Sequence, residues 1–222
     1  GCGDKKGSTS AAENSGRMLE LKYAKQFTAE YLENDCIKVN IGDDSYIIVP
    51  ENAEPPQDND NCTVIKQPLE NVYNAASSAM DLIDGVGALS QVTMTSTKYD
   101  DWCLQSIRSS MDSGDITYIG KYSAPDYEAM LEEDCGLAIE STMIYHSPEV
   151  KEQIENLGIP VLVERSSYES DPLGRMEWIK LYGLLFNCED EAQKLFEEKT
   201  AQLESILSEE KTGRTAAFFY IN

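Results

Sequence analysis

The stretch that most constrains the fold is residues 119–163, IGKYSAPDYEAMLEEDCGLAIESTMIYHSPEVKEQIENLGIPVLV, which reads as strand, helix, strand, helix, strand. Ile119 closes a short apolar run, residues 125–132 predict a short helix, residues 137–139 a buried strand, residues 148–157 a second helix, and residues 161–163 a further strand. The second helix is well punctuated. Ser147 and Pro148 stand at N-cap and N1, Val150, Ile154 and Leu157 recur at helical spacing, and Gly158 sits where a left-handed C-terminal cap belongs. Strands joined by helices run parallel with right-handed crossovers, so the stretch predicts part of an α/β sheet covered on both faces. Such sheets bind ligands at the C-terminal edges of their strands. Attention therefore falls on Lys121 and Tyr122, on Glu140, Ser141 and Thr142, and on residues 165–167.

The rest of the chain supports that reading. Its 222 residues, 41% hydrophobic, suffice for a real core. Forty acidic residues against 18 basic ones give a net charge of −22, with no basic patch for nucleic acid. No apolar run approaches membrane-spanning length. The cysteines at 2, 36, 62, 103, 135 and 188 form no CxxC pair, and His146 is the single histidine, so neither a metal site nor a cofactor is expected. The cysteines after Cys2 are odd in number and read mainly as small buried hydrophobes.

In chain order, GCGDKKGSTSAAENSG reads as the start of a mature bacterial lipoprotein: a cysteine for lipidation, Cys2, then a polar tether through residue 18. Residues 19–66 are β-rich. Ile37, Val39 and Ile41 alternate, Gly42-Asp43-Asp44 turns, and residues 46–49 return as a hairpin, with another strand at residues 63–66. Residues 67–188 predict the α/β lobe: a strand at 71–75, a helix at 77–84 with Met80 and Ile83 inward, a strand at 89–94, and a helix at 100–111 bearing Trp102. Asp171-Pro172 opens a later helix, with Asp171 and Arg175 an acid-first i,i+4 pair. Residues 189–211 form a long helix with Ala192, Leu195, Phe196, Leu203, Ile206 and Leu207 on its apolar side. Thr212-Gly213 would end it, and TAAFFYI at residues 215–221 reads as a strand.

This order of motifs resembles the class III substrate-binding proteins of ABC importers, the receptors for iron–siderophore complexes and cobalamin. The resemblance is carried by IGKYSAPDYEAMLEEDCGLAIE, similar to the family's GG-x-x-x-P-x-x-E-x-I-x-x-x-x-P-D-L-V-I run, and by SPEVKEQIENLGIPVLVE after it. SSYESDPLGRMEWIKLYGLLF is similar to a Gram-positive subgroup that usually has histidine where this chain has Asp171. Cys135-Gly136 departs from the family's Pro-Asp.

The resemblance implies a parallel-sheet first lobe with helices on both faces, preceded by the β-hairpin segment. A long linking helix follows, and residues 212–222 would be the first strand of a second lobe otherwise absent from this chain. It implies an extracytoplasmic solute receptor rather than an enzyme, anchored by lipid on Cys2 to the cell membrane. The ligand would be a ferric siderophore or cobalamin, delivered to an ABC permease. Glu128 matches the acid that docks onto the permease, and Tyr122 an aromatic position of the cleft. Arg165 and Arg175 would hold an anionic ligand, with Ser141, Thr142 and Lys98 as further ligand contacts. Trp102 reads as core, and Arg175 has a local partner in Asp171. The alternative is a non-transport surface lipoprotein, a sensor or adhesion module, built on the same lobe. An enzyme at the same sheet edge would have to use Glu140 or His146, and neither belongs to a recognisable nucleophile motif.

Overall fold

The computed structural model describes residues 15–219. Cys2, most of the expected tether and the last two residues of the strand expected at residues 215–221 lie outside that range. Backbone pairing begins within the expected tether, where the Gly16 amide donates to the Tyr31 carbonyl at 2.7 Å and the Tyr31 amide to the Arg17 carbonyl at 2.8 Å.

The alternating apolar residues of the N-terminal segment build a four-stranded sheet in the order β1 (Phe27–Tyr31), β2 (Ile37–Ile41), β3 (Asp44–Val49), β4 (Thr63–Lys66). The β2–β3 hairpin is antiparallel with Ile41 opposite Asp44, which leaves a two-residue turn. Gly42 opens that turn at φ +59, where a side chain would be strained. β4 pairs parallel to β3, and β1 adds a strand that the sequence reading had not assigned. The register separates two cysteines that share one apolar cluster. Cys36 precedes β2 beside the Val49 end of β3, and Cys62 precedes β4 beside its Ser45 end. Two strand spacings and a four-residue offset put them on the order of 16 Å apart, too far for a disulfide. Both thiols are free.

The lobe is a five-stranded, all-parallel sheet in the order β7-β6-β5-β8-β9. Its strands are β5 (Val72–Asn74), β6 (Val92–Thr95), β7 (Thr117–Tyr118), β8 (Ala138–Glu140) and β9 (Val161–Val163). The helices are α1 (Ser77–Gly85), α2 (Gln105–Asp112), α3 (Tyr127–Glu132), α4 (Pro148–Asn156), α5 (Pro172–Glu177), α6 (Ile179–Leu185) and α7 (Glu189–Phe219). Side chains alternate along each strand, so each face gets its own core. Val72, Val92, Ile139 and Leu162 pack with Ile83 of α1 and Tyr182 of α6, in a cluster that continues into Val39 and Ile48 of the N-terminal sheet. Tyr73, Met94, Ala138 and Val161 pack with Met130 of α3 and Val150 and Ile154 of α4 on the other face. The covered parallel sheet is as expected, and the β-rich segment shares the lobe's main core.

Two buried carboxylates tie the chain's start to the lobe. Glu177, fully buried on α5, accepts the backbone amides of Lys22, Tyr23 and Ala24 at 2.7–2.9 Å and the Lys180 ammonium at 2.7 Å. Burial alone would raise its pKa, but the Lys180 bond and the backbone amides outweigh it and hold the carboxyl below its ordinary value. Glu169 accepts the Lys25 and Gln26 amides and the Trp178 indole.

Several predicted boundaries are corrected. The expected helix at residues 100–111 divides into a 3-10 turn at Tyr99–Asp101 and α2. Trp102 between them is extended, which buries its ring and lets Nε1 donate to the Thr97 carbonyl at 3.3 Å. The strand expected at residues 89–94 begins with a 3-10 turn at Leu89–Gln91. Ser147 precedes α4 without a side-chain capping bond, whereas Asp171 does cap α5, accepting from the Leu173 amide at 2.9 Å.

The strand expected at residues 215–221 is absent from the described part of that stretch, since α7 continues through Phe219. Extending an existing helix adds one hydrogen bond per residue fixed, Ala216-Ala217 favours it, and an isolated strand would leave its edges unpaired. Among the residues of α7 whose burial is described, the apolar side is buried near the start of the helix and not further along. Ala192 and Phe196 lie in the core, while Ile206 and Leu207 are about half exposed.

Candidate functional site

The chain enters the parallel sheet at its centre, winds outward through β6 and β7, and then crosses back to place β8 on the other side of β5. Connections after β5 and β8 therefore leave in opposite directions, and a crevice opens at the C-terminal ends of these two strands. A depression of about 390 Å³ lies there. Ala75, Ser77 and Ser78 line it from beyond β5, Ser141, Thr142 and Met143 from beyond β8, and Ser167 and Tyr168 from beyond β9.

Short polar bonds fix its walls. Asn74 closes a local turn, its Oδ1 accepting from the Ala76 amide at 3.1 Å and its Nδ2 donating to the Ala76 carbonyl at 2.9 Å. That turn aims the first residues of α1 at the depression, where the positive end of the helix dipole favours negative charge. The Thr142 and Tyr168 hydroxyls lie 2.8 Å apart across it. Ser141 Oγ accepts from the Met143 amide at 3.3 Å, and Ser78 Oγ donates to the buried Glu164 at 2.7 Å.

The N-terminal hairpin forms the adjoining rim. The Arg165 guanidinium lies 4.7 Å from the Tyr168 ring centre and packs against Gly42, and its buried Nε has no hydrogen-bond partner. Tyr145 donates to Asp44 at 2.9 Å. Its hydroxyl is pushed up to about 12 by burial first and by the Asp44 bond and charge next, against the pull of Arg165. Tyr46 accepts the Val163 amide at 3.1 Å.

The predicted site residues divide accordingly. Ser141 and Thr142 line the depression, and Arg165 stacks on one of its lining residues. Tyr122 follows the edge strand β7 and Lys98 follows β6, on the side of β5 away from β8: Tyr122 is half-buried against the second core cluster, and Lys98 is exposed. Arg175 is exposed on α5 and donates Nε to the Glu169 carbonyl at 3.1 Å, so its guanidinium serves the helix entry and lies outside the depression's lining. Glu128 is exposed in the first turn of α3, and His146 is exposed at the end of the Thr142–His146 3-10 turn. Ser77, Ser78, Met143 and Tyr168 were missed. The strand-end rule applied to β5 as well would have reached the two serines, because they begin the helix that follows it.

Glu140, the last residue of β8, is 1% exposed, and its Oε1 lacks a partner. Burial raises its pKa to about 8. Among the described residues no group of three or more histidine, cysteine or acidic side chains could hold a metal ion, and no helix is long and apolar enough to cross a membrane.

No family model matches the chain. It is similar to the uncharacterized lipoprotein MJ0878 of Methanocaldococcus jannaschii, 28% identical over 149 residues, which cover 62% of this chain and 34% of that protein. Among solved structures, a periplasmic heme-binding protein of Pseudomonas aeruginosa superposes with a TM-score of 0.54 at 14% identity, covering 68% of this chain and 50% of the other. Staphylococcus aureus SirA complexed with staphyloferrin B gives 0.51 at 19% identity, over 70% and 49%. The periplasmic heme-binding protein HutB of Vibrio cholerae gives 0.50 at 22%, over 63% and 49%. The chain thus spans about half the length of these solved chains and about a third of the archaeal relative. Helices on both faces of a parallel sheet wound in this order, followed by a long helix, are the fold of the class III ABC-transporter substrate-binding proteins, represented here by one lobe.

Proposed function

We propose that the chain is the first lobe of an extracytoplasmic solute receptor for an ABC importer, taking a siderophore, heme or cobalamin-like ligand at the β5/β8 crevice. The single observation that carries this reading is the depression at the topological switch point, lined by hydroxyl groups and Tyr168 and flanked by Arg165. Hydroxyls, an exposed aromatic ring and a guanidinium suit a large, oxygen-rich, partly aromatic and anionic ligand. In this reading Ser141, Thr142 and Arg165 meet the ligand, with Tyr122 and Lys98 at the periphery. Arg175 is committed to the Glu169 carbonyl and is the weakest member of the set. Glu128 would dock on the permease by charge attraction, and the docking would weaken with salt. Lipid on Cys2 would hold the receptor at the membrane surface.

Calorimetric titration tests the ligand. The protein encoded by the whole reading frame is expected to bind at least one of heme, a ferric siderophore panel and cobalamin. Arg165→Ala should weaken that binding at least tenfold. Absence of binding across the panel would overturn the assignment to these ligands.

A further inference from the structure

On the face of the sheet covered by α3 and α4, two buried polar atoms make no well-formed hydrogen bond: Glu140 Oε1, and the Tyr73 hydroxyl, which has Ser96 as a polar neighbour. They sit on neighbouring parallel strands, where Tyr73 pairs with Ala138 and Asn74 with Ile139, and Glu140 is the residue after these. The Glu140 charge acts on Tyr73 and also on Tyr127 of α3, so the three groups share one apolar pocket. Cys135, before β8, acts on Tyr73, and Glu149 of α4 acts on Tyr127. No cation is among the groups that act on these tyrosines, and Glu140 itself is shifted by burial alone. An ionised carboxylate here must either draw in water or move. The depression offers the short route, since Ser141 and Thr142, directly after Glu140, line it, as does Ala75, two residues after Tyr73.

We propose that Glu140 and Tyr73 form a proton-operated latch under the floor of the crevice. With its proton, Glu140 stays in the apolar layer and the Thr142–His146 turn is held down; without it, the carboxylate pulls toward solvent and loosens that turn. Besides Glu140, the turn is held by the Ser141 Oγ bond to Met143, the Thr142–Tyr168 contact, the Tyr145 bond to Asp44, its own backbone bonds and the buried Ile144. The latch belongs to this chain whatever the ligand is. A ligand that rests on the turn, as in the function proposed above, would be released more readily at alkaline pH.

Two measurements on this chain test the latch without any ligand. Carbon-13 NMR of the glutamate carboxyls should find one group titrating several pH units above the others and missing from Glu140→Gln. Hydrogen exchange at residues 142–147, corrected for the intrinsic rise of exchange with pH, should quicken at least tenfold in the wild type as that group ionises and stay constant in Glu140→Gln. An ordinary titration of Glu140, or exchange that quickens equally in both proteins, would overturn the latch. Absence of ligand binding with the pH-dependent exchange intact would overturn only the functional reading.

Discussion

Two glutamate–tyrosine sets sit on opposite faces of one sheet, and their surroundings differ in a single respect. Glu140 ends β8 and faces the layer of Tyr73, whereas Glu164, one residue beyond β9, faces the layer of Tyr182. The two glutamates are joined by the Glu164 amide donating to the Glu140 carbonyl at 2.8 Å, and all four side chains are buried. Glu164 accepts from Ser78, from the Ser166 amide and from Tyr182. Glu140 Oε1 has no such donor, and Tyr73 makes no well-formed bond, with Ser96 as its polar neighbour. Burial by itself thus says little about a carboxylate; the donors that come with it decide whether the charge is held or expelled. Glu177 extends the first case, with three backbone amides and Lys180 on one carboxylate.

Removing a well-served carboxylate should therefore have the largest effect. Glu177→Ala leaves a buried ammonium and three amides without their acceptor, and should cost about 3–5 kcal/mol in denaturant unfolding at neutral pH. A loss under about 1 kcal/mol would mean that water replaces the carboxylate at no cost, and the contrast with Glu140 would fail.

The pH dependence should run in opposite directions on the two sides. The Glu177 carboxyl is held below its ordinary value, so its contribution is present above the usual carboxylate range and is lost as pH falls through its lowered pKa. Glu140 is raised from 4.5 to about 8, so the unfolded chain releases its proton first. Its contribution is full below about 4.5 and is lost as pH rises to about 8. At pH 7 Glu140→Gln should be the more stable protein by at most roughly 3 kcal/mol, from 1.36 kcal/mol per pH unit, and equal to wild type near pH 4. A constant difference across that range would remove Glu140 from the comparison.

The sequence made much of this architecture legible and hid the reason for the contrast. Gly158 at φ +82, Asp171 capping α5 and the alternation of Ile37, Val39 and Ile41 are local signals, and they specified local structure correctly. Ser141 and Thr142 were reachable because strand-end position is a topological property that follows from the order of elements. The distant partners of Glu164 and Glu177 were not reachable, because they lie 18 to 155 positions away along the chain. Residues 215–219 were misread because an apolar run fits a strand or a helix equally, and only the preceding helix decides between them. The bond from Arg175 Nε to the Glu169 carbonyl was equally out of reach, because it depends on how the loop before α5 turns.

The tyrosines separate the two sides with smaller changes. Tyr182→Phe removes a hydroxyl bonded to Glu164 at 3.3 Å and should cost about 1.5–3 kcal/mol, the range for a hydrogen bond to a charged group. Tyr73→Phe removes a hydroxyl that makes no well-formed hydrogen bond and has Ser96 as a polar neighbour, so it should be neutral or stabilise by about 1 kcal/mol, since the penalty for burying that hydroxyl disappears. The pair controls for ring packing, because both tyrosines are fully buried and both variants keep the ring. If Tyr73→Phe instead destabilises as much as Tyr182→Phe, its hydroxyl has a partner in solution: Glu140, or else Ser96 or an ordered water. Tyr73→Phe in the Glu140→Gln background distinguishes these. A direct bond to Glu140 makes the two changes non-additive by more than about 0.5 kcal/mol, whereas Ser96 or a water held by other groups leaves them additive.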